Sequence, residues 1–502
     1  MNILNDNSLA SAVNITMQPV ANTEATGLRP EKLICIGQGE TGKTAKINKF
    51  VYAADSDEVG TIYGFGSPLH RMAKKLFPKS GNGCNVETYF LQVAAPTSGV
   101  AEVKKVTVTG TATKTFNAKF KYRDLIFEAA ADVAGKVASA TNSNPAQDTR
   151  KLDLNIFETS TIYFAVQKGQ TAAQIAQTLQ ECLAEDCDKP FTVAVADGVL
   201  TLTAKWAGAD SLFDIEITDE NDEGITTTTE YGIKFETERS AESAGVGTIP
   251  DAALDLIDEE TMVTRVASQY ATTTVLDKLK DKFSALRDGL ISQYVVCYSA
   301  ILAPENSDAP GKWDTETLKT AGDNRRDDAI NVQIVADYPG RLKSLDYKER
   351  DRLLKAGIPN LVLKSNGTWQ IQDLCTFYHP ENEQNPAYRF DRTVTLAGNI
   401  CYMLRKIFDG PEWASVIFTD GNEPTVNPAA KTLKDVKAAV NKVIGVLGRN
   451  AIITNVPTSQ KLTTVAFNKV NPDRIDIKNK LYYSSCGRIY NFTNLTSFST
   501  GA

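Results

Sequence analysis

Leu33-Ile34-Cys35-Ile36-Gly37-Gln38-Gly39-Glu40-Thr41-Gly42-Lys43-Thr44 is the stretch on which two readings of this chain divide. Four apolar residues in a row read as a short buried strand, and the glycines after them open a loop. Gly37 to Thr44 also satisfies the phosphate-loop pattern, two glycines flanking four residues and then lysine and threonine. In a true site of that kind the loop amides cradle phosphates, Lys43 reaches the terminal ones and Thr44 ligates magnesium. Ile47, Phe50, Val51 and Ala54 would then fall on a following helix. The plainer reading is a glycine-rich connection with a solvated lysine. One reading implies nucleotide hydrolysis; the other needs no cofactor.

Phosphoryl transfer also requires an acid closing a second apolar strand to hold the metal. Asp197 follows Val193-Ala194-Val195-Ala196, but with Gly198 it makes the two-residue turn of a predicted hairpin. Asp337 follows Val332-Gln333-Ile334-Val335-Ala336, and Tyr338-Pro339-Gly340 after it reads as an ordinary loop exit. Neither completes a nucleotide site, so the plainer reading of residues 37–44 is preferred.

Composition narrows the rest. At 502 residues the chain exceeds one hydrophobic core and suggests two to four domains. Hydrophobic residues are 42% and charged residues 23%, ordinary globular usage. The net charge of -7, with both signs interspersed, offers no concentrated basic face, so direct nucleic-acid binding is not expected. The opening Met1-Asn2-Ile3-Leu4 lacks the basic and apolar regions of a secretory signal, and no stretch approaches ~18 uninterrupted apolar residues. A cytosolic origin without membrane insertion is expected. Eight scattered cysteines match no zinc ribbon or redox pair and are expected to be buried thiols; with only His70 and His379, a histidine metal site is not expected. The acidic and basic run Asp323–Asp328 and the triplet Asp258-Glu259-Glu260 read as solvated or interface faces. No Gly-x-Ser-x-Gly elbow stands on a strand-turn-helix pattern. The chain is expected not to be an enzyme.

Outward from residue 33, residues 1–30 form an expected extended arm. Ser67-Pro68 is a helix start, with Leu69, Met72, Ala73 and Leu76 on one face. From about residue 100 the composition turns to Thr, Val, Ala and Lys, and Val106–Thr109 alternates as a strand. Thr171 caps a helix with Ala172, Ile175, Ala176, Leu179 and Leu183 on one face, followed by the Asp197-Gly198 hairpin. Gly245–Pro250 closes this second module. Beyond it, strand-like runs at Tyr294–Ile301 and Val332–Ala336 alternate with helix-like segments at Val275–Leu290 and Tyr347–Ala356, and Val394–Phe408 is a further amphipathic helix. Leu481–Phe498 is aromatic, β-branched and proline-free, which suits strand.

Several of these pieces resemble one family. Leu33–Gly39, then Tyr63-Gly64-Phe65-Gly66-Ser67 leading into a helix, is similar to the first strand, loop and helix start of the Mu-like contractile phage tail sheath proteins. The similarity continues through Gly169–Ala176, Leu200–Thr203, Gly245–Pro250, Asn324–Arg326, Gly357-Ile358, Asn366–Trp369 and Ile371–Thr376. Each piece is short; their order and spacing carry the resemblance. Gly42-Lys43-Thr44 departs from it, since the family requires no phosphate loop.

The resemblance implies an α/β core, with a mixed, largely parallel sheet and flanking helices, from residues 31–100 and 246–475, of which about 385–475 form a C-terminal part. Residues 101–245 would be an inserted, outward-facing, β-rich α+β domain, and residues 1–30 and 476–502 extended arms. It implies a structural subunit without cofactor that polymerises helically with copies of itself around a tail tube protein, meets baseplate and tail terminator proteins, and contracts. Its place would be a virion tail assembled in the host cytoplasm, or a bacterial contractile injection system, which shares every feature. Ile489, Tyr490, Phe492 and Leu495 are the expected strand-exchange contacts between subunits, because a β-rich end has little of its own domain to pack on.

Overall fold

The computed structural model describes residues 29–79, 83–123, 128–143, 152–154, 159–302, 331–336, 346–355, 357–376, 378, 388–422, 425–471 and 473–485. In chain order it begins with β1 (Lys32–Gly37), β2 (Phe50–Tyr52), α1 (Ser56–Tyr63), α2 (Pro68–Leu76) and β3 (Glu87–Gln92). Ser67 caps α2 through its side chain and Pro68 takes the first helical position, where its missing N–H costs nothing. Residues that a phosphate loop would place on a helix do otherwise: Ile47 forms a bridge to Gln92 and Phe50–Tyr52 is a strand antiparallel to β3.

The chain then crosses into β4 (Val103–Gly110) and β5 (Phe116–Arg123), continues through α3 (Glu128–Ser143) and β6 (Leu152–Leu154), and returns with β7 (Thr159–Val166). Next come α4 (Ala172–Ala184), β8 (Phe191–Ala196), β9 (Val199–Ala204), β10 (Asp214–Asp219) and β11 (Ile233–Ala241). Two antiparallel sheets, β11-β4-β9-β8 and β10-β5-β7, enclose a core with α4. Thr171 and Gln174 form a reciprocal capping box at the start of α4. Asp197 and Gly198 both have positive φ, 49° and 81°, as a type I′ hairpin turn demands.

The inserted domain is not the continuous block 101–245. Arg123 and Thr159 are the last register pair of β5 and β7, so the chain leaves the top of a hairpin and returns to it. Between them, α3 lies on the α/β core, burying Ala130, Ala131, Val133, Ala134, Val137 and Ala138 among Leu33, Leu76, Ala267 and Tyr298. Then β6 pairs with a core strand at Trp369–Asp373. Small side chains permit this close seat; a Cβ on Gly135 would meet Leu76 at 2.6 Å. The absence of large apolar residues in α3 is also why composition assigned it to the inserted module.

The core resumes with α5 (Asp251–Leu254), β12 (Arg265–Ser268), α6 (Thr273–Asp288), β13 (Val296–Leu302) and β14 (Asn331–Ala336). The six-stranded sheet runs β14-β13-β12-β1-β3-β2, and all its pairings are parallel except β2 with β3. Alternate residues of β1 enter different clusters. Leu33 and Cys35 face α2 and α3, whereas Ile34 and Ile36 face Val275, Leu279 and Phe283 of α6. Burial on both faces is what makes β1 read as a continuous apolar run.

The last elements are α7 (Tyr347–Lys355), β15 (Asn360–Leu363), β16 (Trp369–Asp373), α8 (Asp391–Phe408), β17 (Ile417–Phe418), β18 (Ala430–Lys431), α9 (Leu433–Arg449), β19 (Ile453–Thr454), α10 (Val456–Leu462), β20 (Thr464–Phe467), β21 (Ile475–Lys478) and β22 (Tyr482–Tyr483). Helix α8 joins two cores. Val394 packs with the sheet cluster, and Leu396, Ile400 and Met403 pack on Val440, Ile444 and Leu447 of α9. The boundary of the C-terminal arm also moves. β21 pairs with β20, β22 pairs with β19, and Ser484 N–H donates to Ile452 O at 3.0 Å, so residues 475–478 and 482–484 pair within their own chain. Ile489, Tyr490, Phe492 and Leu495 lie outside the described residues, as do nearly all of the 1–30 arm, Asp323–Asp328 and Asp337.

Candidate functional site

In open parallel sheets, ligands bind in the crevice beyond the carboxyl ends of the strands. Here that position lies beyond Gly37 of β1 and Ser268 of β12, and Gly37 to Thr44 runs along it. The crevice is filled by the inserted domain, whose segment Lys205–Ser211 follows β9 directly. Trp206 is 1% exposed and belongs to the sheet's own core cluster. Gln38 Nε2 donates to Ala207 O at 2.9 Å, and Gln269 Nε2 donates to Asp210 Oδ2 at 2.5 Å. Lys205 Nζ donates to Phe65 O at 2.5 Å and to Cys187 O at 3.0 Å. Burial pushes the Lys205 ammonium down to about 8 and the Asp210 carboxyl up to about 6.

Four amides of the loop are already committed. Gln38 N–H donates to Gln269 Oε1 at 2.6 Å, Glu40 N–H to Tyr63 O at 2.7 Å, Thr41 N–H to Lys205 O at 2.7 Å and Lys43 N–H to Glu40 O at 2.9 Å. A phosphate would have to displace these partners. No helix starts at Thr44, so the aligned amides and dipole of a helix N-terminus are not presented there. Gly42 (φ 94°) turns the chain away, and the exposed Lys43 donates through Nζ to Thr61 O at 3.0 Å. Gly39 is glycine for close packing, since a Cβ there would meet Gln92 Nε2 at 2.5 Å. Gly37, Gly42, Lys43 and Thr44 therefore share one loop whose hydrogen bonds fasten two domains together.

Comparison with known proteins gives no family model and no curated protein that matches. Among solved structures, the chain is similar to a sheath tail protein from Desulfitobacterium hafniense at 10% identity, covering 94% of this chain and all of that one, with a TM-score of 0.40. It is also similar to a chain of the anti-feeding prophage baseplate at 12% identity, covering 51% of this chain and 76% of that one, with a TM-score of 0.32.

A second contact fastens the same joint. Gly66 N–H donates to His70 Nδ1 at 2.9 Å, which leaves the proton of the neutral ring on Nε2, 3.9 Å from Asp188 Oδ1 of the inserted domain. Lys74 pairs with Asp188 at 2.9 Å. Gly66 (φ 77°) admits no side chain, since a Cβ would meet Lys189 O at 2.2 Å. Burial, only partly opposed by Asp188, pushes the His70 imidazole down to about 4. The unfolded chain therefore binds the extra proton first. Stability is expected to fall as pH drops from about 6.5 to about 4, by up to about 3 kcal/mol from this group. Urea midpoints across that range should show a slope that His70→Gln reduces; an unchanged slope would assign the effect to other groups.

Sequence reading missed this joint. Trp206, Lys205, Asp210, Gln38, Gln269 and His70 share no motif, and the one local signal was an aromatic following a strand end. Among the described residues no group of three or more metal-ligating side chains converges. The described cysteines are all free, and Cys187, expected among buried thiols, is exposed.

Proposed function

We propose that this chain is the structural subunit of a contractile tail sheath, which polymerises helically around a tail tube and shortens without nucleotide. The observation that supports assembly most directly is the β20–β21 hairpin. It is a two-stranded sheet, its residues mostly exposed or half-buried, and neither outer edge has a partner among the described residues. Two strands alone are marginal in water, and open edges invite a strand from elsewhere. In this reading a neighbour supplies it by β-augmentation, and Ile489, Tyr490, Phe492 and Leu495 are the candidate donor contacts. Identical head-to-tail contacts that do not close generate a helical array. Contraction is then a rigid-body change between two packings of linked subunits.

The order and spacing of the sheath-like sequence pieces support the same reading, and so does a sheet end filled by protein rather than left open to a ligand. Negative-stain microscopy of the purified protein over a concentration series, without nucleotide, is expected to show striated hollow cylinders. Deleting residues 486–502, downstream of the pairings made by β22, should leave a folded subunit that forms none. Lys43→Ala should assemble like the parent. Discrete particles only, with ATP hydrolysis lost in Lys43→Ala, would replace the sheath by a nucleotide enzyme.

A further inference from the structure

The N-terminal residues of the described chain enter a closed cluster of charge. Arg29 and Glu31, just ahead of β1, are each 6% exposed, and Arg265, Tyr298 and Asp391 are at most 1% exposed. Arg265 Nε donates to Glu31 Oε2 at 2.9 Å, its Nη1 lies 3.6 Å from Asp391 Oδ1, and its Nη2 reaches Thr395 Oγ1 at 3.4 Å. Tyr298 OH donates to Asp391 Oδ1 at 2.7 Å, and Thr264 Oγ1 donates to Glu31 Oε2 at 2.8 Å. Two guanidiniums and two carboxylates balance, as burial requires.

Arg29 is the member that faces two ways. Its backbone N–H donates to Asn399 Oδ1 at 3.0 Å, and its Nη1 donates to Tyr294 O at 2.9 Å. Its guanidinium lies against Gly398, where a Cβ would sit 2.5 Å from Nη1. Asn399 and Gly398 lie in the middle of α8, next to Leu396 and Ile400, which pack on α9. The chain ahead of β1 is thus clamped at Arg29 to the helix that carries the C-terminal unit.

We propose that Arg29 is a coupling residue that sets the position of residues 29–31 ahead of β1 and the seating of α8 together, so that displacing one displaces the other. Buried hydrogen-bonded charge is suited to this role, because partial separation leaves unpaired charges and the cluster holds either wholly or not at all. The coupling belongs to the single subunit and does not depend on the sheath reading.

Hydrogen–deuterium exchange on the full-length subunit, below any concentration at which it assembles, tests it. In Arg29→Ala, amides of residues 391–408 and 433–449 are expected to exchange at least about tenfold faster, with those of β4 to β11 unchanged. Gly398→Ala is the sharper variant. Alanine favours helix over glycine, so a merely local role predicts slower exchange in α8. Expulsion of the Arg29 guanidinium predicts faster exchange there and in α9. Slower or unchanged exchange in Gly398→Ala, acceleration in Arg29→Ala confined to residues 29–37 and 264–268, or equal acceleration throughout the chain, would each overturn the coupling.

Discussion

Arg265→Ala is expected to cost about 3–5 kcal/mol, a large part of the roughly 5–15 kcal/mol that holds a domain folded, because it leaves two buried carboxylates with Arg29 as their one remaining guanidinium. Arg265 acts through three different nitrogens, toward Glu31, Tyr298 and Thr395. Lysine could not reproduce that fork, so Arg265→Lys should also destabilise, by less. The carboxylates respond differently to the same surroundings. Burial disfavours the charge of Glu31, yet Arg265 and Arg29 outweigh it and hold that carboxyl below its usual range. At Asp391 burial outweighs Arg265, and the carboxyl is held above its usual value. Without Arg265 both would rise. Protonation then relieves the stranded charge, so the deficit of Arg265→Ala relative to the parent should shrink as pH falls from 7.5 toward 5. Chemical denaturation at the two pH values checks this, and a pH-independent deficit would point to lost packing instead. The double change Arg265→Met and Asp391→Asn, which leaves Arg29 balanced by Glu31, should recover much of the loss, since neutral groups need no partner charge.

Replacing residues 124–158 with Asn-Gly is expected to unfold the α/β core while the inserted domain stays folded. Arg123 and Thr159 are already paired, so a two-residue turn can close β5 on β7 without strain, and the shorter loop gains about 2.5 kcal/mol of closure entropy. Against that gain, the core loses the cover of α3 over Leu33, Leu76, Ala267 and Tyr298 and the strand β6 beside β16. Uncovering even about 300 Å² of apolar surface costs roughly 7 kcal/mol, so the loss wins. Limited proteolysis should then release a resistant inserted domain from a digested core. A variant as resistant and as stable as the parent would mean that α3 is dispensable packing.

The parts of this protein fixed by near neighbours were legible in the sequence. Leu33–Ile36 lies in β1, Ser67-Pro68 starts α2, Thr171 caps α4 and Asp197-Gly198 turns between β8 and β9. Each depends on periodicity or on hydrogen bonds spanning three or four residues, and such signals are complete within a short window. The candidate site was legible only as a pattern. Gly37, Gly42, Lys43 and Thr44 spell a phosphate loop whichever way their amides turn.

Tertiary structure decided that outcome, because the Gln38, Glu40 and Thr41 amides between them are held by Gln269, Tyr63 and Lys205, brought close only once the core has packed and the inserted domain has docked on it. It likewise placed α3 and β6 on the core, since a face of alanine and valine carries no address and seats wherever a complementary surface permits close approach. The charge-balanced cluster at Arg29, Glu31, Arg265 and Asp391 had no sequence signal for the same reason. What makes an ion pair is distance and exclusion of water, and neither exists until β1, β12, β13 and α8 have packed together.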